Sequence, residues 1–244
     1  MNNIKCVVSY NGTNYSGWQV QTNSNSIQEE IELALFKICK EKIKITGAGR
    51  TDSGVHSIGQ TFNFKTNINM EPDKWKLALN SLLPLDIRIT SSELVDEDFH
   101  SRFNAKGKIY RYLLNTNEFD PIHKDLIYQY TQKLDANKMQ LASRLFLGKH
   151  DFRNFCSNSI EEVKDFTKEI EYFNIKDDNG LISFEVKGSG FLRYQVRMMV
   201  GTLIEIGSGK KDESIISSRL DKLEFNTTSY NAPSNGLYLM KVIY

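Results

Sequence analysis

The order of apolar segments constrains the fold more than any other feature, because one order of elements occurs twice along the chain. The first half predicts these elements: a strand at 4–10, a helix at 26–40, strands at about 43–46 and 58–66, a helix at about 71–82 and a strand at about 87–95. Ser26 is the predicted cap of the first helix, with Ile27, Ile31, Leu35 and Ile38 on one face. The first half thus predicts the order β-α-β-β-α-β.

The second half predicts the same order. Its elements are a strand at about 105–115, a helix at 135–147, strands at 164–176 and 181–188, a helix at 191–207, an additional helix at 212–222 and a closing strand at 237–244. The polar run from Asp177 to Gly180 predicts a hairpin turn between the two middle strands. The apolar positions of the helix at 135–147 are Met139, Leu141, Leu145 and Phe146.

Two split β-α-β units predict an α+β protein with two ferredoxin-like lobes, whose antiparallel sheets join into one central sheet with a cleft. Joining the sheets would remove exposed strand edges. Residues 1–100 are the predicted N-terminal lobe and residues 101–244 the C-terminal lobe, with the junction at about 96–104. Only four prolines and no Ser/Gly-rich run occur, which argues against a long flexible linker.

The net charge of the chain predicts no global positive field, because the chain has 31 basic and 30 acidic residues. A surface for nucleic acid must therefore come from local clusters, and two candidates are Lys106 to Arg111 and Arg193 to Arg197. A solvated face explains either cluster equally well when it is taken alone.

The cysteines and histidines give little support to a disulfide framework or a metal site. Cys6, Cys39 and Cys156 are widely spaced and never paired as C-x-x-C, so we expect buried free thiols. The histidines lack the spacing of zinc-binding motifs. The first apolar run is too short for a signal peptide or a membrane span, which leads us to expect a cytoplasmic protein.

The run from Gly47 to His56 is the segment most typical of a functional loop. It packs three glycines around Arg50 and Asp52 between two predicted strands. Glycines let a ligand approach the main chain, as a loop that presents one carboxylate to a ligand requires. A tight turn with a surface Arg-Asp pair is the alternative, and composition alone leaves both interpretations open.

This loop, GAGRTDSGVHSIGQ, resembles the catalytic loop of the TruA family of pseudouridine synthases. Further stretches resemble the family in order and spacing from about residue 4 to the final residue. They are YNGTNYSGWQVQ at 10–21 followed by SIQEEIE, DFHSRFNAKGKIYRY at 98–112, GSGFLRYQVRMMVGTLIEIG at 188–207 and the closing APSNGLYLMKVIY. The resemblance implies the pseudouridine synthase fold.

The resemblance also implies roles for individual residues. Asp52 corresponds to the catalytic carboxylate, and Arg50 beside it to the residue that helps to flip the target base. Tyr110 corresponds to the tyrosine that packs against the flipped base, and Arg197 to the arginine that pairs with the catalytic aspartate. Taken without the resemblance, Tyr110 is typical of a packed strand tyrosine and Arg197 of a surface arginine.

The implied reaction isomerises uridine to pseudouridine at positions 38, 39 and 40 of the tRNA anticodon stem-loop, in a homodimeric enzyme. It involves no redox step, phosphate transfer or net hydrolysis, so we expect no nucleotide, metal or other cofactor. The carboxylate can act as a nucleophile or as a base, and the sequence leaves that choice open.

An enzyme that extrudes a base needs phosphate contacts to hold the RNA. The candidates are Lys106, Lys108, Arg111, Arg193, Lys210 and Lys211. His56 is expected to support the loop by packing or hydrogen bonding. Val20 departs from the family, which commonly has a basic residue there, and its presence removes one expected phosphate contact.

Three alternatives remain at this point. A non-catalytic RNA-binding module is favoured by aromatic residues on strands, but KIYRYLLN is a poor match to an RNP1 motif. A nucleotide-dependent enzyme would need a phosphate loop, and the run from Gly207 to Lys210 lacks its upstream glycine and following Ser or Thr. The third alternative is a relative that modifies another RNA.

Overall fold

The computed structural model describes residues 1–157, 165–222 and 230–244. These residues form two compact units, one made of 1–106 with 238–244 and the other of 107–237. Within the described ranges, no helix combines the length and the apolar character that crossing a membrane demands.

The first unit has the sheet order of a ferredoxin-like lobe. Its elements are β1 (Asn2–Tyr10), α1 (Ile27–Cys39), β2 (Thr46–Gly47), β3 (His56–Thr66), α2 (Pro72–Asn80) and β4 (Ile87–Val95). Four of its strands lie in the order β4-β1-β3-β2, and the three pairs that they form are antiparallel. Ser26 caps α1 by accepting from the backbone N–H of Glu29, as predicted.

One apolar core holds this unit together. The predicted face of α1 buries Ile27, Ile31 and Leu35, and α2 adds Trp75, whose ring meets Phe64 of β3 edge to face at 5.1 Å. The alternation of apolar side chains along β1 directs one face of the sheet toward both helices. The sheet therefore has a buried, rigid backing, from which the loop between β2 and β3 extends.

The second unit also has an antiparallel sheet. Its elements are β5 (Gly107–Asn115), β6 (Tyr128–Gln129), α3 (Ala136–Ser143), β7 (Gly148–Asp151), β8 (Thr167–Asp178), β9 (Leu181–Gly188), α4 (Gln195–Gly207) and α5 (Ser214–Leu220). The strands lie in the order β5-β9-β8-β7, and β6 pairs parallel to β5. The closing strand β10 (Leu237–Ile243) pairs parallel to β3 through Tyr238 and Leu239.

The mixed α+β class is confirmed, but several predicted boundaries are wrong. The helix expected over 135–147 ends at Ser143, where Arg144–Phe146 tightens into a 3-10 turn. Met139 and Phe146 are buried as expected, whereas Leu141 and Leu145 are exposed. The strand expected at 43–46 is reduced to Thr46–Gly47.

The helix expected from 191 begins only at Gln195. Tyr194 before it has a left-handed backbone with a φ of 66°, which interrupts the helical run. The predicted hairpin turn is confirmed, since Asn179 and Gly180 have φ values of 53° and 88° between β8 and β9. Residue 164, the expected start of β8, lies outside the described residues.

Candidate active site

The glycine-rich loop from Gly47 to His56 connects β2 to β3 and is held by hydrogen bonds from β3 itself. Ala48 donates its backbone N–H to the carbonyl of Thr61 at 2.8 Å, and Gln60 Nε2 donates to the carbonyl of Gly49 at 2.8 Å. Val55 closes the bend by donating its N–H to the Asp52 carbonyl at 3.2 Å. Asp52 thus stands at the turn of a loop anchored on both sides.

The opening segment, residues 11–19, holds the same loop from a second direction. Trp18 donates its backbone N–H to the carbonyl of Thr51 at 3.1 Å. The carbonyl of Tyr15 accepts from the N–H of Gly54 at 3.3 Å and from the hydroxyl of Ser53 at 3.2 Å. These bonds bracket Asp52, because they reach the residues immediately before and after it.

Buried side chains add a third layer of support. The hydroxyls of Tyr10 and Thr51 share a hydrogen bond of 2.9 Å. Gly12 donates its N–H to Nδ1 of His56 at 3.1 Å, so Nδ1 carries no proton in this contact. The His56 ring also stacks on Tyr238 with 4.7 Å between ring centroids. His56 therefore has the supporting geometry expected for it.

The closeness of the two segments explains Gly12. A Cβ at this position would lie 2.0 Å from the carbonyl oxygen of Val55. No side chain fits that space without displacing the loop backbone. The opening segment and the loop around Asp52 are thus packed backbone against backbone.

Arg50 and Asp52 lie on this scaffold with different exposure. Asp52 is half-buried and follows the buried Thr51, while Arg50 is exposed. Arg50 Nε donates to Oε1 of Gln19 at 3.0 Å. Gln19 is a residue that sequence reasoning missed as part of the site. Its position within GWQVQ, one of the stretches that resemble the family, was the available signal.

In the second unit, Tyr110 lies on β5 with only 8% of its surface exposed. Its ring meets Phe191 edge to face, with 5.2 Å between centroids. Because side chains alternate along a strand, Lys108 shares the face of Tyr110, whereas Arg111 points to the other face. There Arg111 forms an ion pair with Glu185 of β9 at 2.7 Å.

Arg197 lies in the first turns of α4 and is half-buried. Its Nε donates to the carbonyl of Ala232 at 2.6 Å, and its guanidinium lies 5.1 Å from the ring centroid of Tyr194. Arg193 lies over the same ring at 4.9 Å. Both arginines thus contact the ring of Tyr194. The sequence did not predict Tyr194 as part of the site, because the residue pattern does not indicate its left-handed backbone.

The remaining candidates for phosphate contacts differ in how accessible they are. Lys106, Arg193, Lys210 and Lys211 are exposed, and Lys108 is half-buried. Lys210 and Lys211 follow the end of α4, where their backbone N–H groups both donate to the carbonyl of Glu205. Arg111 would have to share its guanidinium between Glu185 and a phosphate.

Comparison with known proteins shows which protein family contains this loop. The family model described as tRNA pseudouridine synthase matches residues 6–104 and 142–244, a span that includes the whole loop around Asp52. The chain belongs to the tRNA pseudouridine synthase family. Members of this family are isomerases that convert uridine in tRNA to pseudouridine, and the resemblance seen in the sequence is confirmed.

Full-length relatives carry the same family name. The chain is 41% identical to tRNA pseudouridine synthase A of Acetivibrio thermocellus over 245 residues, covering 100% of both chains. It is 42% identical to the Clostridium acetobutylicum protein of that name, again over 100% of both. The Bacillus pumilus tRNA pseudouridine synthase A is 41% identical, with 99% of this chain and 98% of the relative covered.

Proposed function

We propose that this chain isomerises uridine to pseudouridine at positions 38, 39 and 40 of the tRNA anticodon stem-loop, with Asp52 as the catalytic carboxylate. The observation that carries the proposal is the bracketing of Asp52 by the opening segment and by β3. A carboxylate held in this way needs little reorganisation when a substrate arrives. The reaction that we propose is the one that defines the family.

The reaction is an isomerisation in which no atom is gained or lost. The bond between N1 of uracil and C1′ of ribose breaks, the uracil rotates, and a bond forms between C5 and C1′. C5 then loses its proton and N1 gains one. An ionised Asp52 can serve as nucleophile or as base, and pairing with Arg197 would keep the carboxylate charged at neutral pH.

The target base must leave its stack before this chemistry begins, at a cost of a few kcal/mol. In our proposal Arg50 assists that extrusion, and Tyr110 packs against the flipped uracil. The edge contact between Tyr110 and Phe191 supports this role, because it holds the tyrosine ring in one orientation. The phosphate contacts come from the six basic residues named above.

The two lobes and a second subunit complete the proposed enzyme. Residues 1–100 would carry the catalytic loop, and residues 101–244 would complete an RNA-binding cleft. We propose a cytoplasmic homodimer in which both subunits hold the tRNA, working without a nucleotide or metal cofactor.

Mapping of pseudouridine in treated tRNA tests this proposal. Purified protein is incubated with unmodified tRNA transcripts, without cofactor, and pseudouridine is located at single-nucleotide resolution. We expect modification at 38, 39 or 40 wherever uridine occurs there, and none in transcripts with cytidine at all three positions. Modification confined to other positions would refute the assigned site, and tight binding without modification would favour a non-catalytic RNA-binding module.

A further inference from the structure

A second site lies in the unit formed by residues 107–237. It is an open pocket of about 240 Å³, and three tyrosines provide its aromatic walls: Tyr128, Tyr130 and Tyr230. Tyr128 and Tyr130 extend from β6 and the residue beyond it, with 5.9 Å between ring centroids in an edge-to-face arrangement. The hydroxyls of Tyr128 and Tyr230 share a hydrogen bond of 2.7 Å, which joins two of the walls.

Contacts with Tyr112 and with α4 support two of the tyrosine walls of the pocket. The ring of Tyr112, which is fully buried, meets Tyr128 edge to face at 6.5 Å. Tyr230 is seated against α4 at Gly201, where a Cβ would lie 1.8 Å from the carbonyl oxygen of Tyr230. Burial raises the pKa of the Tyr128 hydroxyl, and the hydrogen bond with Tyr230 raises it further, so Tyr128 is uncharged at neutral pH. The contacts with Tyr112 and Gly201 thus hold Tyr128 and Tyr230 in place as aromatic walls.

The last turns of α4 give the pocket an apolar floor and two opposite charges. Ile204 is buried, Glu205 is half-buried, and Lys210 is exposed at the rim. The backbone N–H of Lys210 donates to the carbonyl of Glu205 at 2.9 Å, which keeps the two residues together. The residues that line the pocket thus include three tyrosines, one glutamate and one lysine.

This combination matches the chemistry of a nucleotide. Aromatic rings stack with a base, a carboxylate accepts hydrogen bonds from base N–H groups, and lysine binds phosphate as a point charge. Guanine fits a carboxylate well, because its Watson–Crick edge carries adjacent N–H donors. Ile204 follows Arg197 by two turns on the same helix, which places the pocket about 10 Å along α4 from Arg197.

We infer that this pocket binds an unpaired, amino-bearing base of the tRNA, a guanine foremost, at a distance from the uridine being modified. The inference rests on the proposed function, since it takes tRNA as the substrate. The ring of Tyr130 stacks with the base while Tyr128 and Tyr230 contact its edges, Glu205 accepts from its N–H groups, and Lys210 contacts its phosphate. A quaternary ammonium ligand is the rival occupant of an aromatic pocket, but Lys210 at the rim disfavours a cation.

Binding of a mononucleotide tests the pocket without any need for turnover. Saturation-transfer NMR of GMP with the full-length protein should show saturation of the guanine H8 proton, and Tyr130→Leu should abolish it. Phe119→Leu is the matched control, because Phe119 is an exposed aromatic residue of the same unit that does not line the pocket. Saturation of choline protons in place of GMP, removed by Tyr130→Leu, would overturn the inference.

Steady-state kinetics on tRNA then link the pocket to the substrate. Tyr130→Leu and Glu205→Gln should each raise KM about 10-fold while kcat stays within about twofold, since the first loses a stacking contact and the second a hydrogen bond to a charged group, each of which weakens binding by about that order. Glu213→Gln, at an exposed carboxylate outside the pocket, should leave both constants unchanged. Thermal unfolding shows whether each variant is folded. If one variant does not fold, the KM of the other variant decides the outcome.

The two experiments separate failure of the inference from failure of the proposed function. A wild-type protein that forms no pseudouridine in any tRNA refutes the proposed function, whether or not GMP shows saturation transfer. Wild-type KM in two folded pocket variants, or GMP saturation that Tyr130→Leu leaves intact, refutes the inference while the function stands.

Discussion

Arg50 donates a hydrogen bond from Nε to Oε1 of Gln19 at 3.0 Å, which joins the loop around Asp52 to the opening segment at the side chain proposed to extrude the base. The bond restrains the guanidinium at Nε. We therefore expect Gln19, which lies in the family-like stretch GWQVQ, to position Arg50.

Replacing Gln19 by alanine should lower the single-turnover rate by roughly 10-fold, because an unrestrained Arg50 samples orientations that do not assist base extrusion. The thermal midpoint should stay unchanged, since the bond is exposed. Rapid-quench measurement at saturating enzyme gives this rate. Gln21→Ala is the matched control, because the side-chain amide of Gln21 donates to the backbone carbonyl of Ser16 in the same segment. Equal rates for Gln19→Ala and wild type would contradict the positioning role.

Gly12→Ala should destabilise the first unit and displace the catalytic loop. Its Cβ would lie 2.0 Å from the Val55 carbonyl oxygen, and overpacking of this kind costs about 1–3 kcal/mol or more. Urea unfolding measures the loss. Gly190→Ala is the control, because its nearest new neighbour is Lys168 Cδ at 3.9 Å. Wild-type stability for Gly12→Ala would show that the two segments are not packed as described.

Much of this scaffold could be predicted from the sequence, because its signals are local. Ser26 before an apolar stripe predicts where α1 begins, and Asn179-Gly180 predicts the hairpin between β8 and β9. Both follow from backbone preferences of adjacent residues. The strand β7 was missed because Gly148–Asp151 is short, polar and at a sheet edge, which gives no apolar alternation to recognise.

The contacts that shape the candidate site could not be predicted from local patterns. Gln19 and Arg50 are 31 residues apart, and Arg111 and Glu185 are 74 apart. Only the completed sheet and loop packing bring such pairs together. The helix expected from 191 begins only at Gln195 because Tyr194 has a left-handed backbone, which is rare for a residue other than glycine and which the apolar pattern does not indicate.

The alkaline limb of stability should depend on Tyr10. Burial raises the pKa of this tyrosine above its ordinary value of 10.0, while the hydrogen bond with Thr51 opposes part of that effect. The folded state keeps the proton that the unfolded state loses above pH 10, so stability is complete below pH 10 and falls as pH rises further. One such group lowers the free energy of unfolding by about 1.4 kcal/mol per pH unit.

Tyr10→Phe should therefore reduce the slope of unfolding free energy against pH by about half that amount at pH 10 and by nearly all of it at pH 11. Urea titrations of both proteins from pH 8 to pH 11 give the slopes. At pH 8 the variant should be less stable by about 1–3 kcal/mol, because Thr51 loses its buried partner. An unchanged slope would mean that Tyr10 ionises in the folded protein as readily as in the unfolded one.

Arg197→Lys should retain the charge yet lose most of the activity. Arginine donates from Nε to the Ala232 carbonyl while its plane lies over Tyr194, and lysine has no equivalent fork or plane. We expect kcat to fall about 10²-fold, as for a misplaced reacting group. Arg193→Lys, at the exposed arginine that contacts the same ring, should affect KM more than kcat. If both substitutions lowered kcat equally, Arg197 would have no special role in the chemical step compared with Arg193.

The most direct test of the account is release of the C5 hydrogen from tRNA labelled at C5 of uridine. Each isomerisation expels this hydrogen, so released label counts turnovers without added cofactor. We predict steady release by the wild-type protein, and release at background by Asp52→Ala with folding and tRNA binding retained. Substantial release by folded Asp52→Ala would contradict the central role of that carboxylate.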